Sequence, residues 1–132
     1  MKIFFIVSII IFNVIYSSTS FAEWKEVAAN SERTMFIETT SIKKSNGIIY
    51  YWMLRNYTKP NKFADLSSKF LYETDCKVPL KSKVLAAMFY NGPMGTNETT
   101  MTAGAAELEK ETYLYAPPKS LSEWGINFVC NY

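Results

Sequence analysis

The fold turns on the stretch "IIYYWMLRNY", residues Ile48 to Tyr57. In an extended chain Ile48, Tyr50, Trp52 and Leu54 fall on one side, and Ile49, Tyr51, Met53 and Arg55 on the other. Both sides are mostly apolar or aromatic, which marks a central strand rather than one with a solvent-facing polar side. The residues just before it, Asn46-Gly47, both tolerate positive φ and form a strong hairpin signal. Upstream, "TMFIETTSI" (34–42) reads as a strand with Met35 and Ile37 on one face, and "EWKEVAA" (23–29) alternates weakly, as an edge strand does.

Downstream, "TKPNKFAD" is a loop broken at Pro60-Asn61. "SSKFLYETDC" then alternates cleanly. Ser68, Phe70, Tyr72, Thr74 and Cys76 lie on one face, and Lys69, Leu71, Glu73 and Asp75 on the other. Pro79 ends it. "LKSKVLAAMFY" sets Leu80, Ser82, Val84, Ala86 and Met88 against Lys81, Lys83, Leu85, Ala87 and Phe89. Its composition would also suit a helix, but the alternation and the turn "NGPMG" after Tyr90 favour a strand. "TTMTA" suits a further strand, "AAELEKE" a helix by propensity, and "TYLYAPP" a last strand stopped by Pro117-Pro118.

The chain ends on "SLSEWGINFVCNY". Ser120 and Glu123 have capping-box spacing, and Leu121, Trp124 and Phe128 follow at i, i+3 and i+7. Gly125 weakens such a helix by ~1 kcal/mol relative to Ala. A one-sided helix of about ten residues is not stable alone in water, so it must lie on an apolar surface, and the sheet is the one available. The fold class expected is α+β: an antiparallel β-sheet of about six strands with a C-terminal helix packed on it and one disulfide.

The N-terminus reads "MKIFFIVSIIIFNVIYSSTSFAEW". Lys2, the apolar run Ile3 to Tyr16, and the small-x-small Ser20-Phe21-Ala22 form the pattern of a secretory signal peptide, residues 1–22. The run is shorter than the ~20 residues of a spanning helix, which disfavours a membrane anchor. Residues 23–132 then form one domain, of a size that sustains a single core. Nine Tyr, nine Phe and three Trp fit a pleated sheet that is partly exposed.

Two cysteines remain, Cys76 and Cys130, and export favours their pairing. The rival is a pair of free or metal-bound thiols, which lacks CxxC or CxxH spacing. A bridge would fasten the terminal helix to the sheet. No histidine occurs anywhere in the sequence. Ser-His and Cys-His nucleophiles, histidine bases and the commonest zinc ligands are therefore excluded. Two-carboxylate chemistry stays open in principle through Glu38, Glu73 and Asp75, though lone strand carboxylates are ordinarily surface charges. No cofactor and no metal are expected, and the chain is expected to be no enzyme.

The landmarks in order are Trp24, "FIETTSI", "YYWMLRNY", "YETDCK", "YNGPMG", "YLYAPPKS" and a late cysteine. This order resembles the surface-adhesin E family across essentially all of residues 23–132. The resemblance implies an antiparallel sheet carrying helix, with a disulfide, here Cys76–Cys130, tying the C-terminal helix to the sheet. The family's named member is an adhesin that binds host extracellular-matrix and serum proteins. That member is lipid-anchored, and this sequence has no lipidation cysteine after its cleavage site. A periplasmic or secreted, cell-surface location without a lipid anchor is therefore expected.

The expected function is an exported, non-enzymatic protein-binding module of the bacterial envelope. The alternative is a periplasmic inhibitor or assembly factor with an endogenous protein partner. The partner is a host matrix or envelope protein; no nucleic acid is expected, no membrane span after signal cleavage, and a homodimer is compatible with the sequence. Candidate ligand contacts are Lys81 and Lys83 on one strand face, with Lys69 nearby in sequence, and Tyr57, Lys59 and Lys62 in the loop "NYTKPNK". An ordinary solvated face is the plainer reading of both groups, given a net charge of only +2. The sequons at Asn56 and Asn97 carry meaning only in a eukaryotic host.

Overall fold

The structure, a computed structural model, describes residues 22–108 and 112–132. The expected signal peptide lies outside these residues except for Ala22. The strands are β1 (Trp24–Ala29), β2 (Arg33–Glu38), β3 (Lys43–Ser45), β4 (Ile48–Tyr57), β5 (Ser67–Asp75), β6 (Lys81–Tyr90), β7 (Thr99–Ala103) and β8 (Leu114–Tyr115). Two helices, α1 (Ala105–Leu108) and α2 (Leu121–Cys130), complete the set with two short 3-10 turns.

All strands join one antiparallel sheet in the order β1-β2-β4-β5-β6-β7. The central place of β4 follows from its two apolar sides, since only a strand paired on both edges and covered in part on both faces can bury them. Asn46 and Gly47 both have positive φ, 51° and 79°, as the tight turn between β3 and β4 requires. One edge of β4 is shared: β3 pairs with its first residues and β2 with its second half. β6 is shared likewise, with β8 at Lys81 and Ser82 and β7 from Ala87 onward.

The core lies on one face of the sheet. Met35, Ile37, Ile49, Tyr51, Met53, Phe70 and Tyr72 are buried there, and α2 lies over the β1, β2 and β4 part of that face. Each large apolar side chain removed from water contributes about 1.5–3 kcal/mol. Cys76 and Cys130, 54 residues apart, form a disulfide that ties the last turn of α2 to the end of β5. Among the described residues no helix is long and apolar enough to cross a membrane.

Five expectations need correction. The strand expected through residue 42 stops at Glu38, where a 3-10 turn over Thr39–Ser41 takes over. There the Ser41 hydroxyl donates to the Glu38 carbonyl at 2.7 Å and accepts from the Trp52 N–H at 2.9 Å, so a side chain replaces the ladder. The alternation read through β6 breaks at a bulge. Tyr72 pairs with Val84 and Leu71 with Ala86, leaving Leu85 extra. Ser82 and Val84 therefore share the core face with Ala87 and Phe89, and not with Ala86 and Met88.

The last strand shrinks to Leu114–Tyr115, and of the helix expected near residue 105 only Ala105–Leu108 falls within the described residues. Leu121 and Phe128 of the expected α2 stripe pack against the core, but the stripe is rotated away from Trp124. The helix buries Gly125, Ile126 and Val129, while Trp124 is 62 % exposed. The cause is contact distance: a Cβ on Gly125 would stand 2.8 Å from the Met53 terminal methyl, so glycine lets the helix axis approach the sheet along that line. Finally, Ser120 caps α2 by accepting from the Glu123 N–H at 3.1 Å, but the Glu123 carboxylate accepts from the Lys119 N–H and not from that of Ser120.

Candidate binding surfaces

A sheet has two faces, and α2 lies on one. The other carries the second apolar side of β4. Strand register aligns Leu54 of β4 with Lys69 of β5 and Met88 of β6, and Trp52 with Leu71 and Ala86. Trp24 stands opposite Glu38 on the neighbouring pair. Side chains from these rows form a shallow depression of about 220 Å³, lined by Ala22, Trp24, Glu38, Trp52, Lys69 and Met88. The Lys69 ammonium lies 5.6 Å from the Trp24 ring and 5.2 Å from the Tyr90 ring, within cation–π range.

One end of this face is closed by the loop after β6. The Ser67 hydroxyl donates to the Gly92 carbonyl at 2.6 Å and accepts from the Gly95 N–H at 2.8 Å. The Met94 N–H donates to the Asn56 side-chain oxygen at 2.8 Å, which engages one of the two sequon asparagines. Leu54 is fully buried at this end. At the other end Tyr113 folds over the sheet and its hydroxyl donates to the Glu73 carboxylate. The Lys81 ammonium lies 5.1 Å from the Tyr113 ring. The carboxylate of Glu73, accepting that proton, pushes the Tyr113 phenol up to about 12 and also raises Tyr50. Between the two ends Trp24, Trp52, Leu71 and Met88 remain half-exposed.

Lys69, Lys81, Glu73 and Asp75 belong to this face by register, and so does Lys83, whose side chain also lines the cleft beside α2. Lys81 pairs with Asp75 at 3.6 Å, and Lys83 stands opposite Glu73 in the register. The lysines are thus interleaved with carboxylates, giving a mixed, aromatic surface rather than a strip of one sign. Glu38, Glu73 and Asp75 are each engaged separately. Glu38 accepts from the Thr40 hydroxyl, Glu73 from Tyr113, and Asp75 from the Lys77 N–H.

Tyr57, Lys59 and Lys62 lie at the opposite end of β4 from Lys81 and Lys83. A ten-residue strand separates the two groups by ~30 Å, so they form no common site. The Tyr57 hydroxyl shares a hydrogen bond of 2.8 Å with Ser68. Tyr57 and Lys59 line an open hollow of about 520 Å³ with Glu32, Arg33 and Asn61. Lys62 turns away to the Phe63 ring, 4.8 Å from its centroid. Thr58 ties this loop to the β1–β2 turn through the carbonyls of Ser31 and Glu32.

The Trp24–Trp52–Lys69 platform was not singled out from the sequence. Its signal was present, because a strand apolar on both sides needs cover on both faces and only one terminal helix was available to supply it. Among the described residues no group of three His, Cys, Asp or Glu side chains has metal-holding geometry.

A family model, surface-adhesin protein E, matches residues 24–131, nearly the whole described chain. The match begins at the tryptophan of the platform and ends one residue past the disulfide. No curated protein and no solved structure matches the chain.

Proposed function

Because the chain belongs to the surface-adhesin protein E family, we propose that it is an exported, non-enzymatic module of the bacterial envelope. Its work is to bind a protein partner of the extracellular matrix or serum through the open face of its sheet. The observation that carries this reading is the half-exposed platform of Trp24, Trp52 and Lys69, edged by interleaved charges. Tryptophan at the centre of a contact and charges at its rim is the arrangement in which binding energy concentrates. The disulfide fits an oxidising compartment. Lys81 and Lys83 are then rim contacts, and the Tyr57–Lys59–Lys62 loop a separate, secondary surface.

The test is surface plasmon resonance of the oxidised protein over purified matrix and serum proteins. Saturable binding to at least one is expected, weakened about tenfold or more by Trp24→Ala or Trp52→Ala with the fold retained. Absence of saturable binding to all of them removes the adhesin reading. The second reading, a periplasmic factor with an endogenous partner, draws on the sequence itself. Both cysteines of the sequence are taken by the disulfide, as in proteins of an oxidising compartment such as the periplasm. A purified envelope protein that binds where matrix proteins do not is the result that favours it.

A further inference from the structure

Arg55 stands on the core face of β4, next in alternation after Ile49, Tyr51 and Met53. It is only partly exposed. One terminal nitrogen donates to the Tyr72 hydroxyl at 2.5 Å, and the guanidinium carbon lies 4.4 Å from the Phe70 ring centroid. Its Nε is sealed from solvent and meets no acceptor. Among the described residues the ion pairs are Arg33–Glu32 and Lys81–Asp75, and neither involves Arg55. A guanidinium held against a core without an anion is costly, and an unsatisfied buried donor in a native fold calls for an explanation.

The guanidinium is one wall of a cleft of about 660 Å³ between the sheet, the β8 segment and the start of α2. The remaining wall is mainly apolar, with Phe70, Val84, Leu114 and Tyr115, and the Ser82 and Ser122 side chains add hydroxyls. That volume, with a few polar groups in an apolar lining, is the make-up of a small-ligand site. A chamber of about 30 Å³ adjoins it behind Arg55, Ser82 and Ser122, with room for a water and no more. Lys83 also reaches the rim, but Glu73 stands opposite it.

We propose that this cleft binds a small amphipathic monocarboxylate, its carboxylate on Arg55 and its apolar body along Phe70, Val84 and Leu114. A planar, singly charged carboxylate matches the guanidinium nitrogens on the cleft wall, whereas a phosphate dianion would also have to draw on Lys83, which stands opposite Glu73 in the register. The body is aliphatic or aromatic, since the lining offers both ring faces and branched side chains. This site lies on the face that carries α2 and shares only Lys83 with the rim of the protein-binding platform, so loss of binding at Trp24 and Trp52 and loss at Arg55 are distinguishable.

The experiment is a two-dimensional NMR titration of the oxidised protein with 4-phenylbutyrate, decanoate, the neutral 4-phenylbutanol and 4-phenylbutyl phosphate. At least one carboxylate is expected to give saturable shifts centred on the amides of Ser82, Val84, Leu114 and Ser122. The alcohol should bind at least tenfold more weakly. Arg55→Gln should lower carboxylate affinity about tenfold, to the level of the alcohol, while Arg55→Lys retains part of it. Lys44→Ala, on exposed β3, should leave it unchanged. Should Arg55→Gln fail to fold, the acid-against-alcohol comparison and Arg55→Lys decide alone. Absent shifts with both carboxylates, equal affinity for acid and alcohol, unchanged affinity in Arg55→Gln, or tighter binding of the phosphate would each overturn the assignment.

Discussion

Gly125 carries two opposed effects at one position. Alanine there would gain roughly 1 kcal/mol of helix propensity, but its Cβ would press on the Met53 methyl at 2.8 Å, with that of Met35 next at 3.7 Å. A methionine end can shift, so Gly125→Ala is expected to change stability by less than about 1 kcal/mol. Gly125→Val adds two further methyls against the same buried neighbours and is expected to cost about 1–3 kcal/mol. Urea midpoints of the two variants check this. Equal stability of wild type and Gly125→Val would show that the helix does not sit this close to the sheet. Position 125 was legible in the sequence only as a propensity cost, because a glycine's reason to be present is a neighbour distant along the chain. Arg55 was unreadable for a related reason: that it has no carboxylate partner among the described residues is a fact about space and not about spacing.

At the scale of elements, α2 gives a direct contest between two stripes. The i, i+3, i+7 reading put Leu121, Trp124 and Phe128 against the sheet. The packed helix buries Ile126 and Val129 and leaves Trp124 largely outside. Ile126→Ala is therefore expected to cost about 2–5 kcal/mol, and Trp124→Ala less than about 1 kcal/mol. The reverse order in a denaturation series would restore the sequence stripe. A short helix rich in apolar residues on several sides has more than one plausible face, and periodicity alone does not choose among them. The bulge at Leu85 has the same lesson for strands. One extra residue in β6 reverses its faces from there on, and no residue in "KVLAAMF" announces it, since valine, leucine and alanine suit either side.

At the scale of the molecule, one cross-link joins the terminal helix to a sheet that is otherwise open on its far side. The 54-residue separation of Cys76 and Cys130 gives a loop-entropy contribution of about 4 kcal/mol. Domains of this size are stable by only about 5–15 kcal/mol. The double variant Cys76→Ala, Cys130→Ala is expected to lose about that much, read as a lowered denaturation midpoint; an unchanged midpoint would contradict it. The tyrosines give a pH dependence. Tyr113 is raised from 10.0 to about 12, first by its hydrogen bond to Glu73 and then by burial. Tyr51 and Tyr72 are raised chiefly by burial. A phenol with a raised folded value contributes its full stabilisation below the unfolded value near 10, and loses it as pH climbs towards the folded one. Stability is expected to fall between about pH 10 and 12, and less steeply in Tyr113→Phe. Identical slopes in the two proteins would mean that the Tyr113–Glu73 contact does not form in solution.

Local chemistry alone set the long strands β4, β5 and β6, the turn at Asn46-Gly47, the central place of β4, the Ser120 cap and the pairing of the two cysteines. These rest on alternation, the positive-φ tolerance of two residues, a hydroxyl three positions before an N–H, and a cysteine count of two. The sequence also carried enough of its landmarks, in order, for the family to be recognised. Packing settled the rest: which side of α2 meets the sheet, where β6 changes face, and that Lys81 pairs with Asp75. It alone revealed that Trp24, Trp52 and Lys69 share an open platform, and that Arg55 faces a cleft with no ion-pair partner among the described residues. Those features depend on distances between residues far apart in the chain, and such distances are fixed by packing and register rather than by any residue's own preference.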